Sequence, residues 1–424
     1  MSAAVLSIVV LAVIFVVATF RSVNMGVLAL FAAFAVGLGA ADMSQADVLA
    51  GFPSDIFLIL VGLTFMFGFA QQNGTIDWIV AAGLRLVRGR VAAAPWIFFV
   101  LTAALISVGA LFAVAIVAPL AIPFARRYAI NQLMMGLMVV HGALAGAFSP
   151  ISVYGSFIAG YLRGEDLPIS PLALFLGPFV FNVVVGVLVY VFMGGRALLG
   201  RRVDTEAPAA PDGSADGAPA PGPQRLGAYQ ALTLAGLLLL AALSVATDLD
   251  TGVVAISIGA LFALLAPADS KRALDGVSWS VMMLICGILT YINVLETAGA
   301  VDYVSEAITS IGAPLLAVLL LCYLAGVTSA VASSLGIIGV AIALAVPFLE
   351  QGSVSPIAFT VALAVAATVV DVSPFSTNGA LVLANVPEVD RDAMYRRMLG
   401  YAGVVVAAGP GLAWLTFLVP ASLG

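Results

Sequence analysis

AFSPISVYG, residues 147–155, lies in the middle of one long apolar run, and DVSPFSTNG, residues 371–379, lies in the middle of another. Proline removes a backbone donor and collides with the carbonyl one turn earlier. Each helix is therefore expected to stop before Ser149 or Ser373 and to restart with that serine as N-cap and Pro150 or Pro374 in the first helical position. A helix broken inside an apolar run leaves amides, carrying about half a positive charge, at membrane depth. Such ends suit anionic groups, and the unwound carbonyls suit a cation. The competing reading is a pair of proline kinks that only shape their helices. Recurrence of the break at matching positions, beside Ser152, Tyr154, Ser376, Thr377 and Asn378, favours binding, because a mid-membrane polar cluster is costly unless used.

The surrounding chain is built for lipid. Of its 424 residues 63% are hydrophobic and 9% charged, with a mean hydropathy of +1.17, whereas soluble domains carry about a quarter charged residues. Spanning helices are expected near 3–20, 24–41, 55–72, 131–162 and 171–194, and again near 227–246, 251–267, 278–296, 355–387 and 397–420, which makes about ten crossings in an all-α polytopic protein. Residues 95–125 and 312–349 are each interrupted by small residues at the middle. Each half holds roughly 14 residues, about 21 Å of helix, too short to cross, so both segments read as re-entrant hairpins; one long tilted helix is the alternative.

Charge tests this arrangement independently. With the N-terminus outside, every basic residue except Arg163 falls in a cytoplasmic loop, while Asp42, Asp47, Asp55, Glu165, Asp166, Asp248, Asp250, Glu296, Asp302, Glu306 and Glu350 face out. Both termini are then external, and the apolar N-terminal run, lacking a basic n-region, is expected to be a retained helix. The net charge of −6 says little, because the charges are sorted by loop.

Residues 203–226, rich in Pro, Ala, Gly and Asp, read as a flexible cytoplasmic linker between a first unit, 1–202, and a second, 227–424. A displacement of about 225 residues carries Gly62, Gly74, Pro123, Ser149, Pro150 and Gly155 onto Gly287, Gly299, Pro347, Ser373, Pro374 and Gly379. Five crossings per unit, an odd number, would insert the second unit upside down, as in many secondary transporters.

The hairpin tips, VGAL (108–111) and TSAVASSLG (328–336), align Gly109 and Ala110 with Ser333 and Ser334. Serine hydroxyls there suit substrate oxygens or a sodium ion, a hard cation that prefers oxygen; Gly109 and Ala110 also suit close helix packing. Asp371, the one carboxylate placed near mid-membrane, is expected to couple protons or bind sodium, or else to cap the following half-helix. His141, the only histidine, is either a titrating coupling group or a hydrogen-bonded packing residue. Cys286 and Cys322 lie in apolar runs and read as buried hydrophobes, not as a disulfide or metal pair. There is no HExxH motif and no nucleophile–base set, so an enzyme is not expected.

On Ser149-Pro150, Ser373-Pro374 and Ser333-Ser334, the chain resembles the ion transporter superfamily, and within it the MatC-type malonate or dicarboxylate carriers, relatives of the divalent-anion/sodium symporters. The resemblance covers about 24–200 and 227–420. It implies an elevator-type transporter of a small dicarboxylate such as malonate or succinate in the bacterial inner membrane, coupled to sodium or alternatively protons, as a homodimer with no cofactor and no nucleic-acid partner. Substrate would sit at Ser149, Ser152, Ser333, Ser334, Ser373, Ser376, Thr377 and Asn378; coupling would involve Gly109, Ala110, Ser333, Asp371, Asn378 and His141. Gly109-Ala110-Leu111 departs from the Ser-Asn-Thr tip of those symporters and so puts a second sodium site in doubt. A sodium/proton antiporter or inorganic-anion exporter using Asp371 and His141 is the alternative on the same scaffold.

Overall fold

The computed structural model describes residues 2–21, 23–87, 91–199, 226–247, 249–300, 303, 314–330, 334–350, 352 and 354–423. Ser333, Asp302, Glu306 and nearly all of the linker 203–226 lie outside them. The described residues contain helices and no strands.

The first helices are α1 (Ala3–Arg21), α2 (Met25–Ala40), α3 (Gln45–Ala50), α4 (Ser54–Gln72) and α5 (Thr75–Val87). They are followed by α6 (Ala94–Ser107), α7 (Ala113–Arg127), α8 (Gln132–Gly146), α9 (Val153–Gly164) and α10 (Pro171–Phe192). After the linker come α11 (Ala228–Ala246), α12 (Thr251–Leu265), α13 (Pro267–Asp275) and α14 (Trp279–Thr297). The chain continues through α15 (Pro314–Ser329), α16 (Ser334–Glu350), α17 (Pro356–Thr368), α18 (Thr377–Ala384) and α19 (Glu388–Ala413). Among the described residues four helices are long and apolar enough to cross a membrane: Ser54–Gln72, Pro171–Phe192, Trp279–Thr297 and Glu388–Ser422.

Both segments expected as hairpins are pairs of short helices, α6/α7 and α15/α16, of 14, 15, 16 and 17 residues. The single tilted helix is not what forms. At the first tip Gly109 has φ +105°, a left-handed conformation that reverses the chain without a Cβ penalty. Three short helices were not expected from hydropathy. Both α5 and α13 carry charge along one side, and α3 is held by a capping box in which the Ser44 hydroxyl accepts from Asp47 N and the Asp47 carboxylate accepts from Ser44 N. The last long helix starts at Glu388, not near 397, because the charged turn EVDRDAMYRR is helical although too polar to register as apolar.

Two close crossings tie the first and second parts together: α2 against α14, and α4 against α12. Glycines make both. A Cβ on Gly287 would sit 2.0 Å from Gly26 O, and one on Gly252 would sit 2.5 Å from Ile59 N. In a membrane, where the hydrophobic effect does not drive helices together, such backbone approach supplies the contact. Asn24, the N-cap of α2, adds side-chain bonds to Ser280 O and Oγ at 2.8 and 2.9 Å. A second group is centred on α8 and α17: α8 is packed by α6, α7 and α10, and α17 by α15, α16 and α19. It holds the two breaks.

Candidate functional site

The breaks fall where the serine–proline pairs predict, but the N-cap assignment needs correction. The caps are Ser152 and Ser376, not Ser149 and Ser373, with φ/ψ of −84/159° and −80/158°. Ser152 Oγ accepts from Gly155 N at 3.1 Å, and Ser376 Oγ from Gly379 N at 3.3 Å. Each hydroxyl also donates inward, Ser152 toward Ala147 O and Ser149 O, and Ser376 toward Asp371 O and Ser373 O. These hydroxyls therefore stitch the unwound turn. Pro150 and Pro374 stand within the turn, ahead of the cap.

The glycine at the third helical position completes the motif. A Cβ at Gly155 would lie 2.1 Å from Ser149 O, and one at Gly379 would lie 1.9 Å from Ser373 O. The turn carbonyl occupies the space of a side chain, which is why both breaks end in glycine.

Ser149 uses its hydroxyl to join the first break to the first hairpin, donating to Ser107 O at 2.7 Å, while Ile151 N donates to it at 3.3 Å. Ser373 accepts from Phe375 N at 3.2 Å. Thr377 and Asn378 open α18, the first exposed and the second half-buried.

The second hairpin meets the second break through side chains. Ser329 Oγ at the end of α15 donates to Ser334 Oγ at 2.7 Å, and Ser334 Oγ at the start of α16 donates to Asp371 Oδ1 at 2.7 Å. Ser329, Ser334 and Asp371 are 0%, 4% and 6% exposed. Tyr154, from the first break, comes up to the same Ser334–Asp371 pair. The site is thus assembled from both halves of the chain. At the spacing that relates Ser149 to Ser373, the counterparts of Ser329, Ser334 and Asp371 are Leu105, Ala110 and Ala147, all buried and apolar. Gly109 and Ala110 accordingly offer backbone and packing, with no side-chain oxygen.

Ser329 lies within the tip TSAVASSLG and Tyr154 within the first break, and neither is among the substrate or coupling residues expected from sequence. Comparing the halves position by position, and looking for oxygen on one side opposite carbon on the other, would have picked out Ser329.

His141 belongs to a different constellation. Its Nδ1 is 2.8 Å from Asn182 Oδ1 and its Nε2 2.8 Å from Tyr401 OH, and all of its surface is buried. Asn182 Nδ2 donates to Pro178 O at 2.9 Å, so Asn182 Oδ1 accepts from His141 Nδ1–H and Nε2 accepts from the tyrosine hydroxyl. Neutral histidine satisfies every bond and ties α8 to α10 and α19. We expect His141→Phe to strand Asn182 Oδ1 and the Tyr401 hydroxyl and to lower stability by about 2–4 kcal/mol; melting in detergent checks it.

Among the described residues no group of three His, Cys, Asp or Glu side chains could hold a metal ion, and Cys286 and Cys322 are free and buried.

In a comparison with known families, residues 1–147 match the model described as "Dicarboxylate carrier protein MatC N-terminus". A search of curated proteins finds no match.

Proposed function

We propose, from the likeness of residues 1–147 to the N-terminus of the MatC dicarboxylate carriers, that this multi-pass membrane protein is a secondary transporter coupling uptake of a small dicarboxylate, such as malonate or succinate, to a cation. In this reading the two halves are inverted repeats and the termini face outward. The group around α8 and α17, carrying hairpins and breaks, moves as an elevator against α2, α4, α12 and α14 in each protomer of a homodimer.

One observation carries the coupling: the Ser329–Ser334–Asp371 chain, buried between the second hairpin and the second break. A carboxylate inside a membrane protein is retained only where it is paired or used. If one substrate carboxylate approaches Asp371 to about 5 Å, two negative charges repel by about 3 kcal/mol at an effective dielectric constant of 20, a penalty of roughly a hundredfold in affinity. A cation on Asp371, sodium or a proton, removes that penalty, so dianion and cation bind together. The amides at the starts of α9 and α18 then face the substrate carboxylates with partial positive charge. The first half, with Leu105, Ala110 and Ala147 in the matching places, supplies no second charged site.

His141, with both ring nitrogens already bonded, does not favour the antiporter alternative. The test is uptake of labelled malonate and succinate into proteoliposomes, with sodium and proton gradients imposed separately. Accumulation of either acid under one gradient is expected. No uptake of either by folded protein would sink the dicarboxylate reading.

A further inference from the structure

A cleft of about 250 Å³ lies away from Asp371, between the start of α4, the end of α14 and the end of α9. Glu165, just past α9, and Glu296, in the last turn of α14, both line it. Tyr161 stands with them, 8% exposed. Its hydroxyl lies beside the Glu165 carboxylate and within the field of Glu296, yet reaches hydrogen-bond geometry with no group.

The charges around this cleft are one-sided. Asp55 faces it from α4, Asp166 adjoins Glu165, and Glu350 at the end of α16 bears on Glu165. Arg163 is the nearby cation on α9, and it forms no ion pair: among the described residues the one salt bridge is Asp269–Arg272. Burial pushes the Glu165 carboxyl above the ordinary carboxylate range; the Tyr161 hydroxyl pulls it the other way, and Glu350 and Asp166 add to the rise.

The packing here is asymmetric. α9 lies on α4, where a Cβ on Gly160 would sit 2.9 Å from Ile59 Cδ1, and α16 lies on α14; their counterparts α18 and α7 pack on each other instead. In the topology proposed above, the contact of α9 with α4 closes the outer side.

We propose that Glu165, Glu296 and Tyr161 form a proton-binding latch on the outer face: one proton shared between the two carboxyls, with the Tyr161 hydroxyl donating to the pair, holds α9 against α4 and α14. Loss of that proton leaves two carboxylates facing each other across a half-buried cleft with no cation between them, and the outer contact opens. This inference rests on the proposed outward placement of the cleft; its test uses neither substrate nor uptake, so its failure and that of the dicarboxylate reading are separable.

Spin labels on Ala50→Cys and Gly164→Cys, in full-length protein carrying Cys286→Ala and Cys322→Ala and reconstituted in nanodiscs, report the width of the cleft as pH is stepped from about 5.5 to about 8.5. The distance is expected to lengthen with pH by roughly 5 Å or more, the scale of a one-turn shift between packed helices. Glu165→Gln and Glu296→Gln, neutral at every pH, should each hold the short distance throughout, and Asp371→Asn should respond to pH as the parent does. A distance that ignores pH in the parent, a response that survives in the double glutamine variant, a response lost in Asp371→Asn, or one that follows sodium instead of pH would each overturn the latch.

Discussion

Asp371→Asn is expected to abolish gradient-driven accumulation of dicarboxylate by about a hundredfold or more, some 2.7 kcal/mol of coupling, while leaving counterflow intact and independent of the cation. Asparagine keeps the shape of the side chain and an oxygen to accept from Ser334 Oγ, so the hydrogen-bond chain from Ser329 survives. What disappears is the charge. Without it, the repulsion that in the proposed mechanism makes substrate wait for a cation is gone, and the variant should exchange labelled for unlabelled substrate without any gradient. Proteoliposome counterflow and uptake, measured side by side, separate this outcome from misfolding, which would remove both. If Asp371→Asn still accumulates substrate against a gradient, Asp371 is not the coupling group.

The second large effect lies in the backbone. Gly379→Ala places a methyl group 1.9 Å from Ser373 O, inside a turn that Ser376 already ties to Asp371 O and Ser373 O. No side chain there can rotate away, because the obstacle is main chain. The turn must open, with loss of uptake and a destabilisation of about 3 kcal/mol. Gly155→Ala, at 2.1 Å from Ser149 O, should behave alike. Gly400→Ala, on α19 with nothing within 4 Å of its Cβ, should be neutral or stabilising by about 0.5–1 kcal/mol, as glycine-to-alanine in a helix usually is. Thermal melts of the three variants check the contrast; equal destabilisation of all three would refute the steric account.

Much of this architecture was legible in one dimension, because lipid constrains the chain so strongly. Apolar runs must be helices, proline and glycine inside them must break or turn those helices, and the charged residues must collect at the ends. Hence both breaks, the two pairs of short helices and nearly every long helix stand close to where the residues of the chain predict. The short helices α3, α5 and α13 did not show up in hydropathy, since α3 is held by its capping box and α5 and α13 by packing on α6 and α4. Nor did the true caps. Ser149 and Ser152 are equally good N-cap residues by type, and only the fold shows Ser152 capping α9 while the Ser149 hydroxyl donates to the carbonyl of Ser107 on a different helix.

Among the site residues, Asp371 stood out from sequence as a carboxylate in an apolar run, but its partners did not. That Ser334 reaches it from the hairpin, with Ser329 behind and Tyr154 brought in from the other half, is a property of how α15, α16 and α17 pack. Likewise, His141 read as ambiguous because a lone histidine carries no information about Asn182 and Tyr401, which meet it only in three dimensions. The amino-acid sequence by itself determined which segments are apolar helices and where they break, since those are costs of desolvating each backbone group locally. Tertiary structure decided which hydroxyl serves as cap and which bonds to Asp371, because a hydrogen bond is made only where packing brings donor and acceptor within about 3 Å.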